Sequence, residues 1–105
     1  MILVFITCKN AREAGKIGLS LVKKRLAACS VVIPGTASFY WWPPRKNKIE
    51  KSREAILLVK TVRNNFFSIE REVEMLHSYT VPSILAVSVE KAHTPYLKWL
   101  QGELK

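Results

Sequence analysis

The stretch from residue 28 to residue 42 reads ACSVVIPGTASFYWW, an apolar and β-prone run interrupted only at Pro34-Gly35. Its fifteen residues extend to roughly 50 Å at about 3.3 Å each, whereas a domain of this size has a radius of gyration of about 13 Å. We therefore expect the strand to bend at Pro34-Gly35, or its hairpin to project beyond the core. A projecting arm tipped by residues 39–42 would expose aromatic side chains and a free strand edge. The stretch predicts an obligate oligomer.

A strand and a helix precede this stretch. Residues 1–7 form a continuous apolar, β-branched run, which predicts a buried central strand. Asn10 offers an N-cap, and Glu13 completes an arrangement that resembles a capping box. Apolar residues at helical spacing then predict a helix over residues 11–27, with cations in its last turns. The apolar stripe, which continues beyond the helix, consists of Ala14, Ile17, Gly18, Leu21, Val22, Leu26 and Cys29.

Two further strands are predicted after the aromatic residues. Residues 43–48 form a polar turn that contains two prolines. A long strand follows over Ile49–Thr61, densest in apolar residues near its carboxyl end. Residues 83–90 are predicted to form the fourth strand.

Two helices complete the pattern. Asn64 or Asn65 is predicted to cap the first of them, which Val81-Pro82 terminates because the residue before a proline avoids the helical region. Thr94-Pro95 opens a short C-terminal helix, with proline at its first position. The apolar stripe of the longer helix consists of Phe66, Ile69, Val73, Leu76 and His77.

The element order is therefore β-α-β-β-α-β followed by a terminal helix. Two split βαβ units of this kind give an antiparallel sheet with helices on one face. The sequence predicts one α+β domain of the ferredoxin-like type over residues 1–105.

Charge and residue usage exclude several functions. The formal net charge is +9, and all eight acidic residues are glutamate. Without aspartate there is no Walker-B Asp, EF-hand loop or Asp-containing triad. Gly15 and Gly18 fall inside the predicted helix, so no phosphate-cradling glycine loop is expected. We expect no enzymatic activity.

Two features of the sequence indicate where in the cell the protein resides. No apolar run approaches the length needed to cross a bilayer, and the N-terminal one is too short for a signal peptide. Cys8 and Cys29 cannot build a dense disulfide framework, which fits a reducing compartment. We expect a cytoplasmic protein without membrane association.

Five segments, in order and over essentially the whole chain, resemble the CutA family of divalent-cation tolerance proteins. The match lies in KRLAAC at residues 24–29, IPG at 33–35 with YWW at 40–42, KIE at 48–50 with LVKT at 58–61, LHSYTVP at 76–82 and YLKWL at 96–100. Asn47 stands where the family pattern has a glycine. The resemblance implies a ferredoxin-like protomer in a tight homotrimer with strands of neighbouring subunits paired. It also implies tolerance to divalent metals, with copper binding in some members, and no established catalytic reaction.

The resemblance implies metal ligands at Cys8 and His77. In members with assigned copper ligands these are a Cys after the first strand and a His pair late in the second helix, and Leu76 replaces one His of that pair here. Thiolate suits Cu(I), and imidazole suits Cu(II) or zinc. Because a trimer of +9 subunits repels free cations at long range, binding must come from coordinate bonds. Candidate donors are Cys8, Cys29, His77, His93 and Met75.

Four of these five candidate donors also have a structural interpretation. Cys29 is interpreted as a packed small hydrophobe and His93 as a surface residue. Cys8, at a strand end between Thr7 and Lys9, is expected to be exposed and is either inert or a ligand. His77 continues an apolar stripe, so a hydrogen-bonded structural histidine is the alternative to a ligand.

Parts of the sequence are compatible with two other functions. The family's trimer resembles that of the PII signalling proteins, so the alternative is a small-ligand site in an intersubunit cleft. Aromatic and basic residues also cluster near the hairpin tip, but the RNP1 pattern is absent and alternation puts Trp41 and Trp42 on opposite faces, which argues against RNA binding. The residues expected to line the cleft are Tyr40, Trp42, Lys60, Tyr79 and Glu90, together with His77.

Overall fold

A computed structural model describes residues 1–104 and confirms the predicted α+β, ferredoxin-like architecture. Its order is β1 (Ile2–Cys8), α1 (Ala11–Lys23), β2 (Cys29–Trp41), β3 (Ile49–Thr61), α2 (Phe66–Leu76), β4 (Ile84–Ser88) and α3 (Thr94–Glu103). The four strands form one antiparallel sheet in the order β2-β3-β1-β4. None of the described helices is long and apolar enough to cross a membrane.

The core lies between one face of the sheet and helices α1 and α2. Along β1, alternate residues are buried, and the same holds for the second half of β3. The buried cluster joins these strand residues to the apolar faces of both helices, which is the pattern that the two sequence periods predicted. Its largest members are Ile6, Ile17, Leu21, Leu57 and Ile69.

Helix α1 begins as predicted and ends earlier than predicted. The Asn10 side chain accepts a hydrogen bond from the Glu13 N–H (2.9 Å), and the Glu13 carboxylate accepts from the Lys9 N–H (3.1 Å). The prediction that this helix reaches residue 27 is wrong, because Arg25 adopts a positive φ of 57°. The Leu26 N–H donates to the Leu21 carbonyl, and the Arg25 N–H donates to the Val22 carbonyl. These two bonds form the Schellman pattern of a helix C-terminus.

Strand β2 both bends and projects. Its pairing with β3 shifts between Ile33 and Thr36, and Gly35 has φ +66°, so Pro34-Gly35 forms a β-bulge within one continuous strand. Beyond the bulge, β2 and β3 form a hairpin arm, and the molecule measures 47 × 26 × 23 Å. Phe39 and Trp41 are each 67% exposed on this arm. The expected aromatic arm is therefore present.

The remaining elements differ from prediction in detail. Asn65 is the last residue of a short 3₁₀ turn that precedes α2, but its side chain donates to the Leu26 carbonyl instead of capping the helix. Helix α2 ends at Leu76, well before Val81-Pro82. The fourth strand is shorter than the predicted residues 83–90, since β4 covers Ile84–Ser88.

The sheet face opposite the helices carries many apolar side chains. Leu85 and Val87 of β4 pair with Phe5 and Leu3 of β1, and they are 59% and 50% exposed. Val31 and Ile33 of β2 extend the same surface. We call this surface the open sheet face.

Candidate functional site

Cys8, the last residue of β1, is buried, so the expectation of an exposed thiol is wrong. It pairs with Ala55 of β3, and its side chain is on the core side of the sheet. Burial, together with the negative charges of Glu13 and Glu54, raises the pKa of the Cys8 thiol to about 12. The group is therefore a neutral thiol near neutral pH.

His77 follows α2 directly, and its side chain is fully buried. The Tyr79 N–H donates to its Nδ1 (3.0 Å), and its Nε2 lies 2.7 Å from the Thr7 carbonyl oxygen. Because Nδ1 accepts a hydrogen bond and the carbonyl can only accept, the ring is neutral with its proton on Nε2. His77 therefore has the hydrogen bonds of a structural histidine, while it stands beside the buried thiol.

Glu13 is the residue at this site that the sequence did not single out as a donor. Besides the Lys9 N–H, its carboxylate accepts from the Ser78 N–H (3.0 Å), and one oxygen lies 3.7 Å from His77 Nδ1. Burial raises the pKa of Glu13, but the hydrogen bonds from Ser78 and Lys9 outweigh it and lower that pKa. Glu13 is thus a carboxylate at neutral pH.

These three residues converge. One potential ligand atom from each of Cys8, Glu13 and His77 lies within 4.8 Å of the others, which is close enough for one metal ion to contact all three. The donor set of thiol, carboxylate and imidazole suits borderline and soft metals. Binding would have to expel the thiol proton and exchange the Tyr79 hydrogen bond at Nδ1.

The other candidate donors lie elsewhere. Leu76, at the family's histidine position, packs against the hydrophobic core and offers no ligand atom. Cys29 is half-buried at the start of β2, and His93 is exposed at the N-terminus of α3. Met75 is 73% exposed on α2. Among the described residues, only Cys8, Glu13 and His77 form a group of three such donors.

A cleft of about 950 Å³ opens beside this cluster, between the hairpin arm and the loop before β4. It contains three of the predicted cleft residues, Tyr40, Trp42 and Tyr79. The buried Glu54 also lines it and accepts a hydrogen bond from the Tyr79 hydroxyl (2.6 Å). Burial and the Glu54 carboxylate raise the pKa of Tyr79. The lining is completed by Thr7, Ser38, Phe39, Ser52, Ser78, Thr80, Val81 and Ser83.

Within one chain, Lys60 and Glu90 do not join this cleft. Lys60 pairs with Leu3 near the opposite end of the sheet, where its Nζ donates to the Tyr96 hydroxyl (3.2 Å). Glu90 follows β4, close to the chain's N-terminus, since the Val89 N–H donates to the Met1 carbonyl. The sequence predicted Tyr40, Trp42 and Tyr79 at the cleft but neither Phe39 nor Glu54. Glu54 does not stand out in the sequence, because it is the last of five consecutive polar residues at positions 50–54.

Comparison with known proteins adds a family relationship. Residues 2–103 match the family model described as CutA1 divalent ion tolerance protein. The divalent-cation tolerance protein CutA of Thermus thermophilus is 38% identical over 98 residues, which cover 93% of this chain and 92% of that protein. The rice protein CutA 1, chloroplastic, is 32% identical over 105 residues, and the chain spans 57% of its length.

A solved structure of such a protein has the same fold as this chain. The periplasmic divalent cation tolerance protein CutA from Archaeoglobus fulgidus superposes with a TM-score of 0.92 at 34% identity, and the match covers 100% of both chains. The names of these relatives place one in the chloroplast and one in the periplasm, so they do not fix a compartment for this chain.

Proposed function

The chain belongs to the CutA1 divalent ion tolerance protein family, and on that premise we propose that it is a homotrimer that binds copper through Cys8, Glu13 and His77. The role is binding in the response to metal ions, without a catalytic reaction. We place it in a reducing compartment, for which we infer the cytoplasm, because both cysteines are free thiols.

The observation that carries the metal proposal is the convergence of three donors on one point. Thiolate and imidazole are the ligands that copper prefers, and the carboxylate offsets the charge of the ion. With leucine at residue 76, the chain supplies three donors, so a fourth position stays open for a small exogenous ligand. Such an incomplete site fits capture and release of a metal better than permanent structural binding.

Two surfaces support the trimer. The open sheet face leaves large side chains such as Leu85 and Val87 half exposed, and apolar patches of this kind usually mark an interface. Strands β2 and β4 are both sheet edges, which can pair with another chain. Subunits packed through the open sheet face, with arms that reach across their neighbours, would cover both features.

Competition titration against a Cu(I) chelator tests the metal site. We expect Cys8→Ser to weaken Cu(I) binding at least about tenfold, since a hydroxyl is a poor ligand for a soft ion. Cys29→Ser is the matched control, because Cys29 lies outside the cluster, and it should bind as the unmodified protein does. Unchanged affinity in Cys8→Ser would remove Cys8 from the site.

A further inference from the structure

Glu54 is a buried carboxylate that lacks a cationic partner in the part of the chain that the structure describes. Its residue is 7% exposed, and no salt bridge within residues 1–104 includes it. The Tyr79 hydroxyl is the side-chain donor to it, at 2.6 Å from Oε2. Buried charges are normally paired, because the loss of hydration is costly. A lone buried carboxylate in a chain of net charge +9 therefore needs an explanation.

The surroundings of Glu54 resemble a receptor for a cation. Within residues 1–104, no lysine or arginine lines the cleft, and Glu54 is the only charged residue among those that do. Aromatic rings of Phe39, Tyr40, Trp42 and Tyr79 provide apolar walls. The faces of such rings attract cations.

We propose that the cleft binds a primary organic ammonium ion attached to an apolar body, with the Glu54 carboxylate as its counter-ion. An ammonium group donates three hydrogen bonds, and the cleft offers hydroxyl acceptors near the carboxylate, including Ser52, whose Oγ lies 2.7 Å from the Tyr40 hydroxyl. A quaternary ammonium ion could not use those acceptors, and an anion would face an unscreened negative charge. The apolar body of the ligand contacts Trp42 and Phe39 of the arm.

This site is separate from the copper proposal. It uses neither Cys8 nor His77, and its ligand is an organic cation instead of a metal. Lys60, which the sequence predicted at the cleft, lies at the other end of the sheet.

Isothermal titration calorimetry of the full chain in its native assembly tests the proposal with four related probes. These are 2-phenylethylamine, its trimethylammonium analogue, the neutral 2-phenylethanol and the anionic 3-phenylpropionate. We expect the primary amine to bind at least about tenfold more tightly than each of the other three. No binding of the amine, or equal binding of the alcohol, would overturn the proposal. If a lysine or arginine of one subunit fills the cleft of its neighbour in the assembly, the amine will not bind. The proposal would then be wrong.

Variants identify the carboxylate that is responsible. Glu54→Gln should weaken amine binding at least about tenfold, since it removes the counter-charge and keeps the shape. Glu50→Gln is the matched control, because Glu50 lies four residues away on the same side of β3 and pairs with Lys48 outside the cleft. If Glu54→Gln fails to fold, Trp42→Leu, at a half-exposed position, must weaken binding instead.

Full amine affinity in a folded Glu54→Gln protein, or in Trp42→Leu, would contradict the assignment. Cys8→Ser should bind the amine as the unmodified protein does. A failure of the copper proposal would therefore leave this result unaffected.

Discussion

Glu13 connects two loops that are distant in sequence. Its carboxylate accepts from the Lys9 N–H after β1 and from the Ser78 N–H after α2, and Ser78 lies 65 residues further along the chain. His77 makes a parallel connection, from Thr7 to Tyr79. These bonds hold together the ends of β1 and α2, and with them the donors of the proposed metal site.

Substitution of Glu13 by glutamine should destabilise the protein in a pH-dependent way. Glutamine keeps one acceptor oxygen but turns an NH₂ group toward a backbone donor, which we expect to cost about 1–3 kcal/mol at pH 7. Since the folded-state pKa of Glu13 is lowered from 4.5, its stabilisation is present above about pH 4.5 and is lost as the pH falls through the folded-state pKa. Urea unfolding at pH 7, 5 and 3 should therefore show a shrinking difference between the two proteins.

Glu74→Gln provides the control for that experiment. Glu74 is exposed on α2, and the described residues give it no salt bridge. Its substitution should change the free energy of unfolding by less than about 0.5 kcal/mol at each pH. A constant penalty for Glu13→Gln down to pH 3 would mean that packing, not the carboxylate charge, is what matters.

The residues of the candidate site could be predicted only in part from the sequence, because hydrogen bonds between residues distant in the chain bring them together. Cys8 and His77 could be named from their chemistry and from the family resemblance. Glu13 could not, because the local capping box already accounts for it and its contact with Ser78 exists only in the folded chain. The burial of Cys8 was also missed, since Thr7 and Lys9 suggested a solvent-exposed strand end, whereas the Cys8 side chain belongs to the hydrophobic core.

At the scale of elements, the prediction of a helix boundary failed where a residue other than glycine has a positive φ. The C-terminus of α1 was missed because an arginine, not a glycine, takes the left-handed position; Arg25 is held there by bonds from Nη1 to Glu103. Asn47 likewise has a positive φ of 50°, and asparagine tolerates this region better than most residues. The prediction for β3, by contrast, matches its observed ends at Ile49 and Thr61. The apolar patterns located the strands and helices, whereas the C-termini of α1 and α2 were not predictable from them.

The packing of α1 on the sheet gives a matched pair of glycine substitutions. A Cβ at Gly18 would lie 2.9 Å from Leu57 Cδ1 and 3.0 Å from Ser30 Cβ, whereas nothing lies within 4 Å of one at Gly15. We expect Gly18→Ala to destabilise the protein by about 1–3 kcal/mol through overpacking. Gly15→Ala should stabilise it by about 0.5–1 kcal/mol through helix propensity. Thermal and urea unfolding would measure both, and equal effects would show that α1 does not pack as described.

At the scale of the whole molecule, the long arm was foreseeable because a chain length and a domain radius can be compared without a structure. The open sheet face was not, since the strands that form it read simply as apolar runs. Once the register is known, the alternate residues Leu3 and Phe5 of β1 and their partners on β4 fall on the side away from the helices. The face and the arm together point to the trimer that we propose.

A charge on the open sheet face should therefore separate the subunits. Leu85→Glu places a carboxylate among apolar side chains that the proposed trimer buries, and a desolvated, unpaired charge destabilises an interface strongly. Met75→Glu is the control, because Met75 is similarly exposed but lies on α2, away from that face. Sedimentation velocity at micromolar concentration should show trimers for the unmodified protein and for Met75→Glu, and monomers or unfolded chains for Leu85→Glu. A well-folded monomer of the unmodified protein would refute the proposed assembly, because its apolar face and aromatic arm would then be stable in water without a neighbour.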